Sequence, residues 1–277
     1  MDAKTKLYAV LGFPVGHSIS PKLQNKLFDL AGYNGCYMAL ESAPQRFEKD
    51  IEFLREHFSG FNCTIPHKQR ILPFLDEIDT RAEWCGSVNT VKNENGRLLG
   101  YSTDGYGFLK ALALHGVTVD NSRVLILGAG GVARVLAFEC AARGAIITIA
   151  ARNPQKAAAL KNEIIAALNK AVVHTCLLTD IKGEYDLLLQ CTPVGMSTVR
   201  QESPVELETV ERCAVVFDTI YSPPQTPILR MAKQAGKVAI NGFPMLIYQG
   251  VAAAQIWTGY QYSDQEIQTI IDGWDNL

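Results

Sequence analysis

The sequence predicts an α/β protein of two domains, the second of them a doubly wound sheet inserted before the C-terminal helices. Three observations predict it. The first hundred of the 277 residues alternate short strand-like and helix-like segments. Residues 124–127 then form a fully apolar run, followed at once by a glycine turn at 128–131. Two helical stretches close the chain after the last predicted strand, so we expect them to return to the first domain.

The bulk composition is that of an ordinary globular protein, with 48% hydrophobic and 19% charged residues. A net charge of −2 gives no electrostatic case for binding nucleic acid or an anionic membrane. Seven cysteines without a Cys-x-x-Cys spacing favour reduced thiols and argue against a metal site. The N-terminal apolar run is broken by Gly12 and Pro14, which argues against a signal peptide or membrane span. We expect a cytoplasmic monomer or homodimer whose partners are small molecules.

In the first domain, strands and helices are predicted in alternation. Strands are expected at 7–11, 36–40 and 60–65, and helices at 21–30 and 44–58. Ser20 is expected to cap the first helix, because Pro21 suits the first helical turn. Segments 88–91 and 98–101 flank Asn93-Glu94-Asn95-Gly96, which is typical of a hairpin turn. Residues 104–115 are expected to form a connecting helix.

The second domain changes character at Arg123. Its predicted strands are apolar, as expected for parallel strands covered on both faces, and lie at 124–127, 145–150, 187–189, 215–217 and 238–240. Helices are expected at 131–143 and from near 153. The closing helices are expected at 245–257 and 264–274, the latter starting with the capping box Ser263-Asp264-Gln265-Glu266. The predicted domains are therefore 1–104, completed by 243–277, and 105–242.

The pattern Gly128-x-Gly130-x-x-Ala133 lies between a buried strand and a helix, which is the context of a Rossmann dinucleotide turn. Free amides at the start of that helix would hold the pyrophosphate. The turn residues expected to contact the cofactor are Gly128, Ala129, Gly130, Gly131 and Val132.

The end of the second strand of this domain indicates which cofactor is bound. NAD-binding proteins usually carry an acidic residue there to bind the ribose 2′-hydroxyl. Residues 150–156 contain no acid. Arg152 offers a planar fork suited to a 2′-phosphate, and Lys156 adds a second positive charge. We therefore predict NADP, with Ala151, Arg152, Asn153 and Lys156 beside its adenosine end.

Four polar motifs precede the nucleotide turn, at 12–21, 62–68, 86–90 and 102–105. The first places Ser20 and Pro21 at a helix start, where unpaired amides favour an anion such as a carboxylate. Lys68 and Asp104 stand in two others, and an ammonium paired with a carboxylate can supply a proton to a developing alkoxide. A polar site in a chain with a dinucleotide turn indicates hydride transfer to a polar small molecule.

Taken in order, these motifs resemble those of shikimate dehydrogenases over about residues 12–249. The resemblance includes Asn62-Cys63-Thr64-Ile65-Pro66-His67-Lys68, Ser102-Thr103-Asp104, and Gln190-Cys191-Thr192-Pro193-Val194-Gly195-Met196. It continues through Asp218-Thr219-Ile220-Tyr221 and a closing segment from Gly242 to Gln249. Cys63, Ser87, Ser102 and Gln190 depart from the family pattern.

The resemblance implies NADP-dependent reduction of 3-dehydroshikimate to shikimate, on the way to chorismate and the aromatic amino acids, in a cleft between the two domains. It implies that Lys68 carries the proton and that Asp104 is its partner. The substrate residues it implies are Ser18, Ser20, Thr64, Asn89, Tyr221 and Gln249. It also adds Thr219 and Gly242 to the cofactor residues. His67, beside Lys68, is expected to be exposed.

Two alternative functions stay open from the sequence. The first is a quinate/shikimate dehydrogenase that uses NAD or NADP, because a pocket discriminates weakly against one added hydroxyl. The second is a non-catalytic, nucleotide-binding regulatory paralogue, which should have lost Lys68 or Asp104. Judged without the resemblance, Lys68 and Asp104 could also form a surface ion pair of little energetic value.

Overall fold

The computed structural model describes residues 1–197 and 199–274. The chain divides into two compact units, one of Met1–Gly107 with the chain from Leu246 onward, the other of Phe108–Met245. The last three residues of the predicted segment 243–277 lie outside the described residues. Both divisions fall inside helices, each three residues beyond the predicted boundary.

The first unit contains a six-stranded mixed sheet. Its strands are β1 Lys6–Gly12, β2 Gly35–Glu41, β3 Gly60–Cys63, β4 Glu77–Ile78, β5 Thr90–Glu94 and β6 Arg97–Tyr101, in the order β2-β1-β3-β5-β6-β4. Strand β1 is parallel to β2 and β3, whereas β5 runs antiparallel to β3 and β6. The predicted hairpin is confirmed, since β5 and β6 are joined through Asn95 and Gly96, both with positive φ.

Helices cover both faces of this sheet. They are α1 Ser20–Leu30, α2 Phe47–His57, α3 Thr80–Cys85 and, near the C-terminus, α9 Phe243–Thr258 and α10 Asp264–Asp272. Helix α4 Asp104–Ala113 crosses from the first unit into the second. A short 3-10 helix spans Leu72–Phe74. One buried cluster gathers α2 residues such as Ile51 and Leu54 with Phe61 of β3. The other joins Tyr8, Phe28 and Tyr37 to Ala253 and Trp257 of α9.

The C-terminal helices return to the first unit, as predicted. The Trp257 indole donates to the Val91 carbonyl at 3.0 Å, and the Tyr262 hydroxyl donates to the Leu27 carbonyl at 2.9 Å. Gly60 permits the close approach of the indole, because a Cβ there would lie 2.5 Å from Trp257 Nε1. The predicted capping box of α10 is also present at Ser263.

The second unit contains a six-stranded, fully parallel sheet. Its strands are β7 Arg123–Leu127, β8 Ile146–Ala150, β9 Val172–Cys176, β10 Tyr185–Gln190, β11 Cys213–Asp218 and β12 Val238–Ile240. The order β9-β8-β7-β10-β11-β12 reverses direction between β7 and β10, as in the doubly wound Rossmann fold. The helices between strands are α5 Gly131–Ala142, α6 Pro154–Ala167, α7 Leu207–Glu211 and α8 Pro227–Gln234.

Several predicted boundaries were wrong. Ser20 does not cap α1: Ile19 already has helical φ and ψ, so the helix begins at Ser20 and the N-cap makes no side-chain bond. Helix α2 starts at Phe47 rather than at Pro44. Strand β3 ends at Cys63, because the chain turns there and the His67 amide donates to the Thr64 carbonyl at 2.7 Å. The short elements β4, β9, α3, α7 and α8 were not predicted.

Candidate functional site

Polar motifs of the first unit meet at one edge of its sheet. The chain leaves β1 and β3 at this edge because the two strands are parallel, with Leu11 paired to Cys63. Strand β5, antiparallel to β3, starts here directly after Asn89, and β6, antiparallel to β5, ends here three residues before Asp104. The sheet thus brings together Lys68 and Asp104, which are 36 residues apart in the chain.

Lys68 and Asp104 form an ion pair between Nζ and Oδ2. The pair is neither a surface pair nor fully buried: the Asp104 side chain is 9% exposed and the Lys68 side chain 28%. The Asn89 amide donates to the other carboxylate oxygen, Oδ1, at 2.9 Å. The backbone of Lys68 is fixed as well, since its carbonyl accepts from the Val88 amide at 2.9 Å. One ammonium is therefore held in place while part of it stays accessible.

Asn89 connects this pair to Gln249. Its amide nitrogen Nδ2 also lies 2.9 Å from Thr103 Oγ1 and 3.3 Å from Gln249 Oε1, and its Oδ1 accepts from the Thr103 amide at 2.8 Å. Asn89 is buried, and its two amide hydrogens serve three protein acceptors. The Gln249 contact is the longest of the three and would be the first to exchange for a ligand hydroxyl.

Ser18, Ser20 and Thr64 lie at the same edge and are all half-buried. Ser18 Oγ accepts from the Ser20 amide at 3.3 Å, which engages the first amide of α1. The Thr64 amide donates to the Leu11 carbonyl at 2.8 Å, which ties the loop after β3 to β1. Gly12 makes room for Thr64, because a Cβ at position 12 would lie 2.5 Å from Thr64 Cγ2.

The prediction that His67 is exposed was wrong. Its ring is fully buried and stacks on Phe47 at 4.3 Å, with Nε2 2.7 Å from the Ser42 carbonyl. The carbonyl must accept, so Nε2 carries the proton and Nδ1 is left without a partner in the described part of the chain. Burial lowers the pKa of His67, which keeps the ring neutral.

Sequence reasoning missed the buried polar residues behind Asn89. The Asn62 amide donates to the Asn89 carbonyl at 2.8 Å and to Thr90 Oγ1 at 2.9 Å, while its Oδ1 accepts from the Tyr37 hydroxyl at 2.5 Å. Thr103 Oγ1 lies 3.3 Å from Thr90 Oγ1. Asn62 and Thr103 lie within the polar motifs of the sequence, so their positions in the chain could have indicated that they belong to the site. Tyr37, in a different strand, gave none.

In the second unit the glycine turn sits at the point where strand order reverses. Gly128 has φ +106°, in the left-handed region, and its amide donates to the Ala150 carbonyl at 2.8 Å. A Cβ at Gly130 or Gly131 would meet nothing within 4 Å, so the backbone of the turn is open to a ligand. Ala133 is fully buried where α5 packs on the sheet. Ala129 and Val132 complete this turn.

The residues predicted to choose the cofactor follow β8. Ala151 is buried, whereas Arg152, Asn153 and Lys156 are exposed. Asn153 caps α6, its Oδ1 accepting from the Lys156 amide at 3.0 Å. The cap uses only the Asn153 oxygen, so the Asn153 amide nitrogen and the cationic side chains of Arg152 and Lys156 are the donors that a phosphate could use.

Asp218, at the end of β11, is buried and was not predicted as a site residue. It accepts from Thr226 Oγ1 at 2.6 Å and from the Ile220 amide at 3.0 Å. Burial raises the pKa of Asp218 to about 6 against those two hydrogen bonds. The next residue, Thr219, donates from its hydroxyl to the Gln190 carbonyl at 3.0 Å.

Tyr221 and Gly242 belong to the same corner of the second unit. Tyr221 is half-buried, and burial raises the pKa of its hydroxyl. Gly242 lies against the chain after β11: its amide donates to the Ile220 carbonyl at 3.1 Å, and a Cβ there would lie 2.3 Å from the Thr219 carbonyl oxygen. A side chain at position 242 would therefore displace Thr219.

The raised pKa of Asp218 predicts a pH-dependent cost to stability. The native state binds this proton more tightly than the unfolded chain, whose pKa is 3.8, so stability falls as pH rises through the window from about 4 to about 6. We expect the unfolding free energy of the wild type, relative to Asp218→Asn, to fall by up to about 3 kcal/mol between pH 4 and 7. Urea unfolding at both pH values measures it, with Asp180→Asn, at an exposed carboxylate, as control. An equal pH dependence in wild type and Asp218→Asn would contradict the prediction.

The described residues contain no group of three His, Cys, Asp or Glu side chains placed to hold a metal ion. The seven cysteines are all free. None of the helices in 1–197 and 199–274 is long and apolar enough to cross a membrane.

A doubly wound sheet with an open glycine turn at its switch point, in a chain that also holds an accessible Lys–Asp pair, defines a nucleotide-dependent oxidoreductase. Residues 10–91 match the family described as the shikimate dehydrogenase substrate binding domain. Shikimate dehydrogenase (NADP(+)) of Methanocaldococcus jannaschii is 42% identical over 267 residues, 94% of each chain. The chain belongs to the shikimate dehydrogenase family.

Solved structures agree with this assignment. A crystal structure of shikimate dehydrogenase in complex with NADP+ superposes with a TM-score of 0.90 at 40% identity, covering 98% of this chain and 96% of that one. The Thermus thermophilus enzyme in complex with NADP(H) and shikimate gives 0.85 at 33% identity, covering 95% and 97%.

Proposed function

We propose that this chain is an NADP-dependent shikimate dehydrogenase, which interconverts 3-dehydroshikimate and shikimate. The observation that carries the proposal is the Lys68–Asp104 pair, held by Asn89 at the sheet edge where the polar motifs of the first unit meet. A regulatory paralogue would have no need to keep an accessible ammonium in this arrangement. The kinship with NADP-dependent shikimate dehydrogenases supports the same conclusion.

The acid/base chemistry follows from the pair. Reduction of a ketone leaves an alkoxide oxygen, which is stabilised by a proton or a positive charge nearby. The Lys68 ammonium would supply that proton, and in the reverse direction the neutral amine would take it from the alcohol. Asp104 and, through it, Asn89 hold Nζ in one place, so little orientational freedom is lost on reaching the transition state.

The substrate residues have complementary roles in this proposal. Ser18 and Ser20 lie at the start of α1, where hydroxyls and the helix dipole suit the substrate carboxylate. Thr64 and Gln249 would bind ring hydroxyls. Asn89 would give up its 3.3 Å contact with Gln249 and donate to a ring hydroxyl instead. Tyr221 would contribute its hydroxyl to the substrate.

The second unit fits NADP. When bound, the cofactor supplies or accepts the hydride. The open backbone at Gly130 and Gly131 leaves space for the pyrophosphate beside the amides that start α5. Arg152 and Lys156 would hold the 2′-phosphate, and Thr219 and Gly242 would lie at the other end of the cofactor. We assign the first unit to substrate binding and catalysis and the second to NADP binding.

Arg152→Ala should weaken NADP selectively. The loss of a charge-assisted, forked contact to the 2′-phosphate is expected to raise the KM for NADP by roughly 10- to 100-fold, while the KM for NAD changes little. Initial rates with both cofactors measure this. Arg212→Ala is the matched control. Arg212 directly precedes β11 and so lies at the amino-terminal ends of the parallel strands, whereas Arg152 follows the carboxyl end of β8. A similar rise for NAD would show that Arg152 does not contact the 2′-phosphate.

The proposal places the enzyme in the cytoplasm, in the route to chorismate and the aromatic amino acids. Its test is the initial rate of the purified protein with shikimate and with quinate, each with NADP and NAD. We expect the highest kcat/KM with shikimate and NADP. Higher kcat/KM with quinate would favour the quinate/shikimate alternative, and no turnover with either acid would favour the regulatory paralogue.

A further inference from the structure

The carboxylate of Asp218 is isolated from positive charge. The side chain is fully buried, and in the described part of the chain no Lys or Arg forms an ion pair with it. Burying a carboxylate in this way costs free energy, so the contacts that it makes need an explanation beyond stability.

Those contacts join the two ends of one segment. Oδ1 accepts from the Ile220 amide, two residues after Asp218, and Oδ2 accepts from the Thr226 hydroxyl at the far end. Thr226 is the residue before α8, where a threonine hydroxyl ordinarily caps the helix, yet this one makes no capping bond. The hydroxyl is directed to Asp218 instead, and Thr226 is fully buried.

The closed segment, residues 219–225, is anchored at further points. The Thr219 amide and hydroxyl both donate to the Gln190 carbonyl, at 3.1 and 3.0 Å. The Gly242 amide donates to the Ile220 carbonyl. Tyr221 follows these anchors directly, and its aromatic ring is half-buried. The orientation of Tyr221 therefore depends on the anchors on either side of it.

We propose that Asp218 and Thr226 form a positioning pair that fixes segment 219–225 and with it the orientation of the Tyr221 side chain. The inference rests on the proposed function, because it takes Tyr221 as a substrate residue. Because Asp218 and Thr226 are both fully buried, they act through Tyr221. A buried carboxylate at this place accepts two hydrogen bonds at fixed angles, which an apolar residue of the same size could not do.

The test is a double-mutant cycle between Thr226→Val and Tyr221→Phe. Thr226→Val removes the hydroxyl at nearly constant volume, and we expect it to raise the KM for shikimate by about 3- to 10-fold with a smaller change in kcat. In the Tyr221→Phe background the same change should alter KM by less than about twofold, since the two act as a unit. Equal factors in both backgrounds, or no effect in the wild type, would overturn the proposal.

Conservative variants separate positioning from packing. Asp218→Asn can still accept from the Ile220 amide and can donate to Thr226 Oγ1, and Thr226→Ser keeps the hydroxyl, so both should stay close to the wild-type KM. Asp218→Leu, which can accept no hydrogen bond from its side chain, should raise the KM. Thr258→Val removes a hydroxyl that donates to the Ala254 carbonyl in α9 and is the matched control. A rise in KM in Thr226→Ser as large as that in Thr226→Val would show that the Thr226 hydroxyl does not position the segment.

Amide hydrogen exchange gives a readout independent of turnover. Exchange at residues 219–222 should accelerate in Thr226→Val by about the same factor as KM rises, while β7 and β10 keep their protection. Unchanged exchange at 219–222 would refute the positioning pair. Absence of shikimate turnover in the wild type would refute the proposed function alone, and the exchange result would still decide whether Asp218 and Thr226 hold the segment.

Discussion

We expect replacement of Lys68 by alanine to lower kcat by roughly 10²- to 10⁴-fold and to leave the KM for shikimate within about tenfold of wild type. The physical reason is that the ammonium acts on charge that develops only in the transition state. The substrate carboxylate and hydroxyls keep their partners in the variant, so ground-state binding changes little. Steady-state rates with shikimate and NADP, with stability checked by urea unfolding, measure the effect.

Lys92→Ala is the matched control, because Lys92 also pairs with a carboxylate, Glu94, at 2.6 Å, but on the hairpin. Its kcat should match the wild type. Asp104→Ala added to Lys68→Ala should cost little more, since the carboxylate acts by holding the ammonium. A Lys68→Ala enzyme that keeps more than a tenth of the wild-type kcat would remove Lys68 from the role of acid and base.

The site could be predicted where function constrains residue types within a short stretch. Lys68 and Asp104 stand in motifs whose polar character has no explanation in the core, and the ends of β3 and β6 bring them together. The glycine turn was predictable for a similar reason, because a tight turn, a close backbone approach and a helix start each restrict the residues allowed.

What could not be predicted depends on neighbours distant in sequence. His67 is buried because Phe47 of α2 covers its ring and Ser42 offers a carbonyl, and neither contact can be inferred from residues 62–68. Ser20 met the composition rule for an N-cap, yet Ile19 adopted helical geometry first. Strand β9 was missed because its sequence, VVHTC, has only two strongly apolar residues and only one buried position.

Trp257→Ala is expected to lower the unfolding free energy by about 3–5 kcal/mol, the usual cost of deleting a buried large aromatic side chain. Trp257 is 6% exposed and packs on Tyr8 and Tyr37 with ring centroids 4.9 and 5.9 Å away. The substitution would leave a cavity beside Gly60 and strip the Val91 carbonyl of its indole donor. Guanidinium unfolding measures the loss, with Trp84→Ala, at a 37% exposed indole, as control.

The same change should also affect the Lys68–Asp104 pair. Val91 lies two residues beyond Asn89 in the chain, so relaxation of β5 into the cavity would shift the amide that holds Asp104. We therefore expect folded Trp257→Ala to have a lower kcat, and Trp257→Phe, which fills most of the cavity, to recover part of both losses. Unchanged stability in Trp257→Ala would mean that α9 does not complete the core of the first unit, and the Lys68–Asp104 pair would then need another source of rigidity.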